Sequence, residues 1–127
     1  MEEKDWIYEL EDILKLSKNK FDSLSIAEDI NIILDWVEND SQRLSYQIYQ
    51  AYKMYKSKVK FDFMKNKHID ELIYELVSSY GDVLNQFSRL LSKNNSISLT
   101  DNQKNNMFNI INVLFAVRDD DLFMETA

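Results

Sequence analysis

Proline is absent from this 127-residue chain, and glycine occurs only once, at Gly81. Strands joined by tight turns need these two residues at the turn positions, whereas both destabilise the interior of a helix. Apolar residues make up 45% of the chain and recur at helical spacing along nearly all of it. The sequence therefore predicts an all-α fold: a single domain over residues 1–127, built as a bundle of four to five helices with short polar loops.

Three helices are predicted in the first half of the chain. The first spans about residues 3–20 and ends in the polar segment KNKFDSLS. Ser25 and Glu28 have the spacing of a capping box, which places the start of the second helix there. Asp40 or Ser41 then caps a third helix over roughly residues 42–66. The apolar stripes are Trp6, Ile7, Leu10, Ile13 and Leu14 in the first helix, and Ile26, Ile30, Ile33, Leu34 and Val37 in the second.

Two further helices are predicted in the second half. The fourth begins near His68, and Gly81 inside it is expected to permit a bend or a close helix crossing. Thr100 and Gln103 form a second capping-box pattern, which opens a fifth helix that ends near Val117. The apolar residues of the fourth helix form a heptad seam: Ile69, Ile73, Leu76, Tyr80, Val83, Phe87 and Leu90.

Charge is distributed unevenly along the chain. The whole chain has a net charge of −7, which argues against general affinity for nucleic acid. Residues 1–40 carry twelve acids and four lysines, whereas residues 42–67 carry one arginine and six lysines against the single acid Asp62. The two segments predict opposite partners: a basic surface for the first and an anionic one for the second.

The acidic segment supplies the leading functional hypothesis. Its predicted partner-binding residues are Asp29, Asp35, Trp36, Glu38 and Asp40. Trp36 lies off the apolar stripe among carboxylates, so it is either a partly exposed hot spot or packs against the first or third helix. The chain is rich in Lys, Asn, Ile and Tyr and poor in Ala, which fits an AT-rich bacterial or phage genome. We therefore expect a small acidic inhibitor or immunity-type protein that masks a basic surface of a larger protein.

The basic segment supplies the main alternative, because it contains a tyrosine at every third position from Tyr46 to Tyr55. Tyrosines at this spacing wind around a helix and cannot share one face. Tyr52 and Tyr55 fall on the aliphatic side and are expected to pack in the core. An exposed stripe of aromatic and basic residues is predicted from Tyr46, Tyr49, Lys53, Lys56, Lys60 and Lys67. Such a stripe suits nucleic acid, or an acidic protein surface, or it is neutralised within the bundle.

Catalysis, metal binding and cofactor binding are not expected. The chain has no cysteine, and its only histidine, His68, has one nearby carboxylate, Glu71, which is too few ligands for a metal site. No apolar run approaches the roughly 18 residues of a membrane span. The acidic opening MEEKDWIYEL is unlike a signal peptide, so we expect a cytoplasmic protein without a membrane partner.

A third hypothesis is a structural subunit that self-associates as a homodimer through the fourth and fifth helices. The apolar residues of the fifth helix lie on more than one side, which is typical of a central helix or of one covered by a partner. The last eight residues or so are predicted to form a flexible tail. Within it, Leu122, Phe123 and Met124 follow three aspartates and either fold back on the bundle or form a docking motif or a dimer contact.

Overall fold

A computed structural model describes the backbone of residues 3–58 and 63–126, and the side chains of residues 9–55 and 68–117. Within these ranges the chain forms helices and no strands, as predicted. The five helices are α1 (Glu3–Ser25), α2 (Ile30–Asn39), α3 (Ser41–Lys58), α4 (Phe63–Ser92) and α5 (Asp101–Thr126).

The four long helices form a ring, and the short α2 packs mainly against three of them, with one ring contact to α1 as well. α1 contacts α3 and α4, α5 contacts the same two helices, and α2 packs on α3, α4 and α5. α1 and α4 run parallel, because Glu11 lies beside His68 and Phe21 lies beside Tyr80. The core fills the centre of this ring, and its largest fully buried side chains include Tyr55, Phe21, Leu10, Leu14, Leu24 and Ile33.

The predicted seam of α4 is confirmed along its whole length. All seven seam residues are buried, with exposed fractions of 6% or less. Tyr80 keeps its hydroxyl satisfied by donating a hydrogen bond to the carbonyl oxygen of Met107, at 3.1 Å. Burial raises the pKa of this phenol well above its ordinary value, so the seam stays neutral.

The predicted boundary between α1 and α2 is wrong. α1 continues to Ser25, whose hydroxyl donates to the carbonyl oxygen of Asp22 at 2.7 Å instead of capping α2. Asp29 is the N-cap of α2, and its carboxylate accepts from the backbone N–H of Asn31 at 2.9 Å. The buried stripe of α1 continues beyond the predicted end of the helix. Ser17 can belong to this stripe because its hydroxyl donates a hydrogen bond to the carbonyl oxygen of Ile13 in the same helix.

Three further boundaries also differ from the predictions, which place the end of α3 near residue 66, the start of α4 near His68 and the end of α5 near Val117. α3 ends at Lys58, residues 59–62 lie outside the described backbone, and α4 begins at Phe63. The capping box of α5 is confirmed: Thr100 Oγ1 accepts from the N–H of Gln103 at 3.1 Å, and Gln103 Oε1 accepts from the N–H of Thr100 at 3.0 Å. The α5 backbone extends to Thr126, beyond the predicted end near Val117. The side chains of residues 122–124 lie outside the described set, so their role stays a prediction.

Gly81 does not serve a close helix crossing. A Cβ added at this position meets no atom within 4 Å, and the φ angle of Gly81 is not positive. The residue faces a small apolar groove of about 210 Å³ between α4 and α5. Glycine is therefore required here neither for space nor for backbone conformation.

We expect Gly81→Ala to stabilise the protein by about 0.5–1 kcal/mol, because alanine removes the entropic cost of glycine in a helix interior. Urea denaturation followed by circular dichroism measures the change as a shift of the midpoint at constant slope. An unchanged or lower midpoint would show that the backbone at Gly81 needs a freedom that the structure does not reveal.

Candidate functional site

The exposed side of α2 is the first candidate surface. The helix buries Ile30, Ile33, Leu34, Trp36 and Val37, and it leaves Asn31, Ile32, Asp35, Glu38 and Asn39 exposed. Asp29 and Asp40 flank the helix and are also exposed. The four carboxylates Asp29, Asp35, Glu38 and Asp40 are called the acidic face below.

The charges of the acidic face are largely uncompensated. Within residues 9–55 and 68–117, neither Asp29 nor Asp35 nor Glu38 forms an ion pair. Asp40 lies 3.7 Å from a guanidinium nitrogen of Arg43, in a pair that solvent reaches from both sides. Exposed pairs of this kind contribute little binding energy, so the acidic face presents its negative potential to solvent.

Trp36 packs in the core, which is the second of the two positions that the sequence predicts for it. Its exposed fraction is 6%, so it is not available as a partner-binding residue. Its ring packs edge-on against Phe21 of α1, with ring centroids 5.8 Å apart. The buried side of α2 is wide because the helix also packs on α3, α4 and α5, while Asp35 and Glu38 on its other side are exposed.

Two isoleucines that the sequence interpretation missed are exposed near the acidic face. Ile32 is 52% exposed on α2, and Ile26 is 77% exposed in the connection before it. The sequence predicts Ile26 in the buried stripe of the second helix, but α2 begins four residues after it, at Ile30. Ile32 had a readable signal, since it precedes Asp35 by three residues and Asn39 by seven, the spacing of one exposed face.

Comparisons of the chain with protein-family models, with curated proteins and with solved structures find no match. The functional interpretation therefore rests on the geometry of the surfaces themselves.

The tyrosines of α3 divide as the sequence predicts. Tyr52 and Tyr55 are buried, whereas Tyr46 is 65% exposed and Tyr49 is 40% exposed. The ammonium group of Lys53 lies over the ring of Tyr49, 5.2 Å from its centroid. This cation–π contact places an aromatic and a basic group side by side on the outside of α3. The side chains of Lys56, Lys60 and Lys67 lie outside the described set, so their part in the stripe stays a prediction.

Tyr46 and Tyr49 line an open groove of about 480 Å³ between α3 and α5. We call it the α3/α5 groove, and it is lined by Gln42, Arg43, Ser45, Tyr46, Tyr49, Asn109 and Val113. The two helices run parallel here, so each turn of α3 along the groove lies opposite the corresponding turn of α5. The sequence indicated the α3 side of the groove, whereas the residues of α5 could not be paired with it from sequence.

A network of side-chain amides supports one end of this groove. Gln42 donates from Nε2 to Oδ1 of Asn106 at 2.6 Å, and Asn106 donates from Nδ2 to the carbonyl oxygen of Val37 at 3.0 Å. Ser45 is buried beside this network, and its hydroxyl has no hydrogen-bond partner among the residues described. A buried hydroxyl without a partner is costly, so Ser45 marks a position where a ligand or water would be stabilised.

Two further pairs of titratable groups lie on the surface of the described residues. His68 lies beside Glu11 rather than Glu71, with Nε2 3.4 Å from Oε1. Lys18 and the hydroxyl of Ser79 lower the pKa of Asp22 by donating hydrogen bonds to its carboxylate. No group of three or more His, Asp or Glu side chains within the described part of the chain is arranged to hold a metal ion.

Two further findings bear on the predicted partners. None of the helices, over the residues described, is long and apolar enough to cross a membrane.

The apolar groove between α4 and α5 is lined by residues such as Val77, Leu84, Ile111 and Phe115. Whether these helices self-associate stays a prediction.

Proposed function

We propose that the protein is a non-enzymatic binding module, a small acidic inhibitor or immunity-type protein of bacterial or phage origin that acts in the cytoplasm. Its acidic face would cover a basic surface of a larger protein. The observation that carries the proposal is the exposed side of α2, on which Asp35 lies one helical turn from exposed Ile32 and Asp35 and Glu38 form no ion pair among the residues described.

Charge complementarity defines the partner. Carboxylates that lack ion-pair partners steer a basic surface into encounter, and at the rim of an interface they stay partly hydrated, so their desolvation cost is small. Asp35 and Glu38 lie on one side of a short helix whose opposite side is anchored in the core. The charges are therefore presented on a rigid element, which lowers the entropic cost of binding.

Ile32 supplies the apolar centre that such an interface needs. Binding energy in protein interfaces concentrates in a few apolar or aromatic groups that become dry, while a charged rim sets specificity. In this proposal Ile32, rather than the buried Trp36, is the hot spot of the interface. Trp36 instead supports α2 from beneath, through its contact with Phe21.

The test uses two double variants with the same change in net charge. Asp35→Lys/Glu38→Lys reverses the acidic face, and Glu9→Lys/Asp12→Lys reverses two exposed carboxylates of α1 as the matched control. Proteins captured by the wild-type chain at low salt are identified, and their affinities for all three forms are measured. We expect a basic partner whose affinity falls about 30-fold or more for the α2 variant, because like charges then face each other.

Capture of a protein is not sufficient by itself. The supporting pattern is loss of binding with the α2 variant, retention with the α1 variant, and an association rate that falls as salt rises. Equal affinity of the partner for both double variants would contradict the proposal. Replacing Ile32 with Ser then tests the apolar centre, and we expect a loss of at least about 2 kcal/mol of binding energy.

A further inference from the structure

The α3/α5 groove has a chemistry that the acidic face does not use. Its walls combine two exposed phenol rings with a guanidinium group, two side-chain amides and a buried hydroxyl. Aromatic rings offer stacking area to any planar group. Side-chain amides offer both donors and acceptors, which is how proteins read the edges of a nucleobase.

The cations of the groove are available to an anion. The side chain of Arg43 is 75% exposed, and its guanidinium lies 3.7 Å from Asp40, so the group retains most of its donors. Lys53 stands further along the same side of α3, where it covers the ring of Tyr49. Tyr46, between Arg43 and Tyr49, has the more exposed ring of the two.

The floor of the groove contains the one buried side-chain polar atom, within the part of the chain described, that lacks a hydrogen-bond partner. This atom is the Oγ of Ser45. The neighbouring amides Gln42 and Asn106 are already joined to each other, and Asn106 is also joined to Val37. This network fixes one end of the groove and leaves the exposed Asn109 for a ligand, while the buried Ser45 Oγ could be satisfied only by a small polar group such as water.

We propose that the α3/α5 groove binds a nucleotide. The base stacks on Tyr46, its edge meets Asn109, and the phosphate lies against Arg43. The volume of about 480 Å³ is within the range of small-molecule sites. The ligand carries few phosphates, because the adjacent carboxylates Glu38 and Asp40 and the net charge of −7 repel a long polyanion.

The test is a titration of the full chain followed by amide chemical shifts in a ¹H–¹⁵N spectrum and by calorimetry. The probes are AMP, adenosine, inorganic phosphate and a six-residue oligoadenylate. We expect AMP to bind more tightly than adenosine or phosphate, with saturable shifts at Gln42, Tyr46 and Asn109. Tighter binding of AMP than of the oligoadenylate supports a free nucleotide as the ligand, whereas tighter binding of the oligoadenylate would overturn the proposal in favour of single-stranded nucleic acid.

Matched variants separate the groove from general surface effects. Tyr46→Ser and Arg43→Gln should each lower affinity about tenfold, because stacking or a charged contact is lost. Tyr74→Ser and Arg89→Gln replace the same residue types at exposed positions of α4 and should leave affinity unchanged. All four positions are exposed, so equal melting temperatures will show that the fold is intact. Absence of saturable shifts with every probe at millimolar concentration would overturn the proposal, as would equal affinity of the groove and control variants.

Discussion

Phe21→Ala is expected to destabilise the protein by about 3–5 kcal/mol, the range observed when a fully buried phenylalanine is truncated. Phe21 has an exposed fraction of 0%. A domain of this length has a free energy of unfolding of roughly 6–19 kcal/mol, so this single change removes a large share of it. Chemical denaturation followed by circular dichroism measures the loss.

The size of the effect follows from the position of Phe21 between three helices. Its ring packs edge-on against Trp36 of α2 and lies 5.0 Å, centroid to centroid, from the tilted ring of Tyr80 in α4. Aromatic pairs in these geometries contribute about 0.5–1.5 kcal/mol each beyond the area they bury. Truncation would therefore leave a cavity and also remove the support of α2, on which the acidic face depends.

Phe108→Ala is the matched control for this prediction. Phe108 is the same residue type on α5, but it is 62% exposed. Its truncation should change the free energy of unfolding by about 0.5 kcal/mol or less, because solvent already surrounds the ring. Similar losses for the two variants would show that Phe21 does not occupy the centre of the core.

Asn106→Ala is expected to cost about 2 kcal/mol of stability, since it removes two hydrogen bonds from a buried site. Asn106 is 2% exposed and joins three helices: it accepts from Gln42 of α3 and donates to the carbonyl oxygen of Val37 in α2. That carbonyl belongs to the last turn of α2, where helical partners are lacking. The hydroxyl of Ser41 also donates to it, so the variant weakens this helix end without leaving it unpaired.

Asn109→Ala provides the comparison, because Asn109 lies one turn later on α5 and is exposed. We expect little change in its unfolding midpoint. Equal midpoints for the two asparagine variants would contradict a structural role for the amide network. If Asn109→Ala is as stable as wild type, any loss of nucleotide binding in that variant can be assigned to the groove itself.

Much of the helical architecture could be predicted because it depends on local spacing. The heptad seam of α4 and the buried pair Tyr52 and Tyr55 follow directly from which positions share a helical face. The capping box of Thr100 and Gln103 is a contact between residues three apart, so its pattern is visible in the chain.

The errors have a common physical cause. A serine whose hydroxyl donates a hydrogen bond to a carbonyl oxygen of its own helix can be buried in the core. The buried stripe of α1 therefore includes Ser17, although the apolar pattern of the sequence ends before it. The Ser-x-x-Glu spacing of Ser25 and Glu28 predicts a helix start, but the packing of Phe21 and Leu24 in the core extends α1 as far as Ser25. Tertiary burial outweighs a local capping preference of about 1 kcal/mol.

The fold class, most of the helices and the buried sides of α3 and α4 follow from the sequence alone, because helical periodicity is a property of neighbouring residues. The burial of Trp36 against Phe21 and the groove that Tyr46 shares with Asn109 follow only from the tertiary structure. These are contacts between elements far apart in the chain. They depend on how α2 packs against the other helices and on the parallel pairing of α3 with α5, which no local pattern specifies.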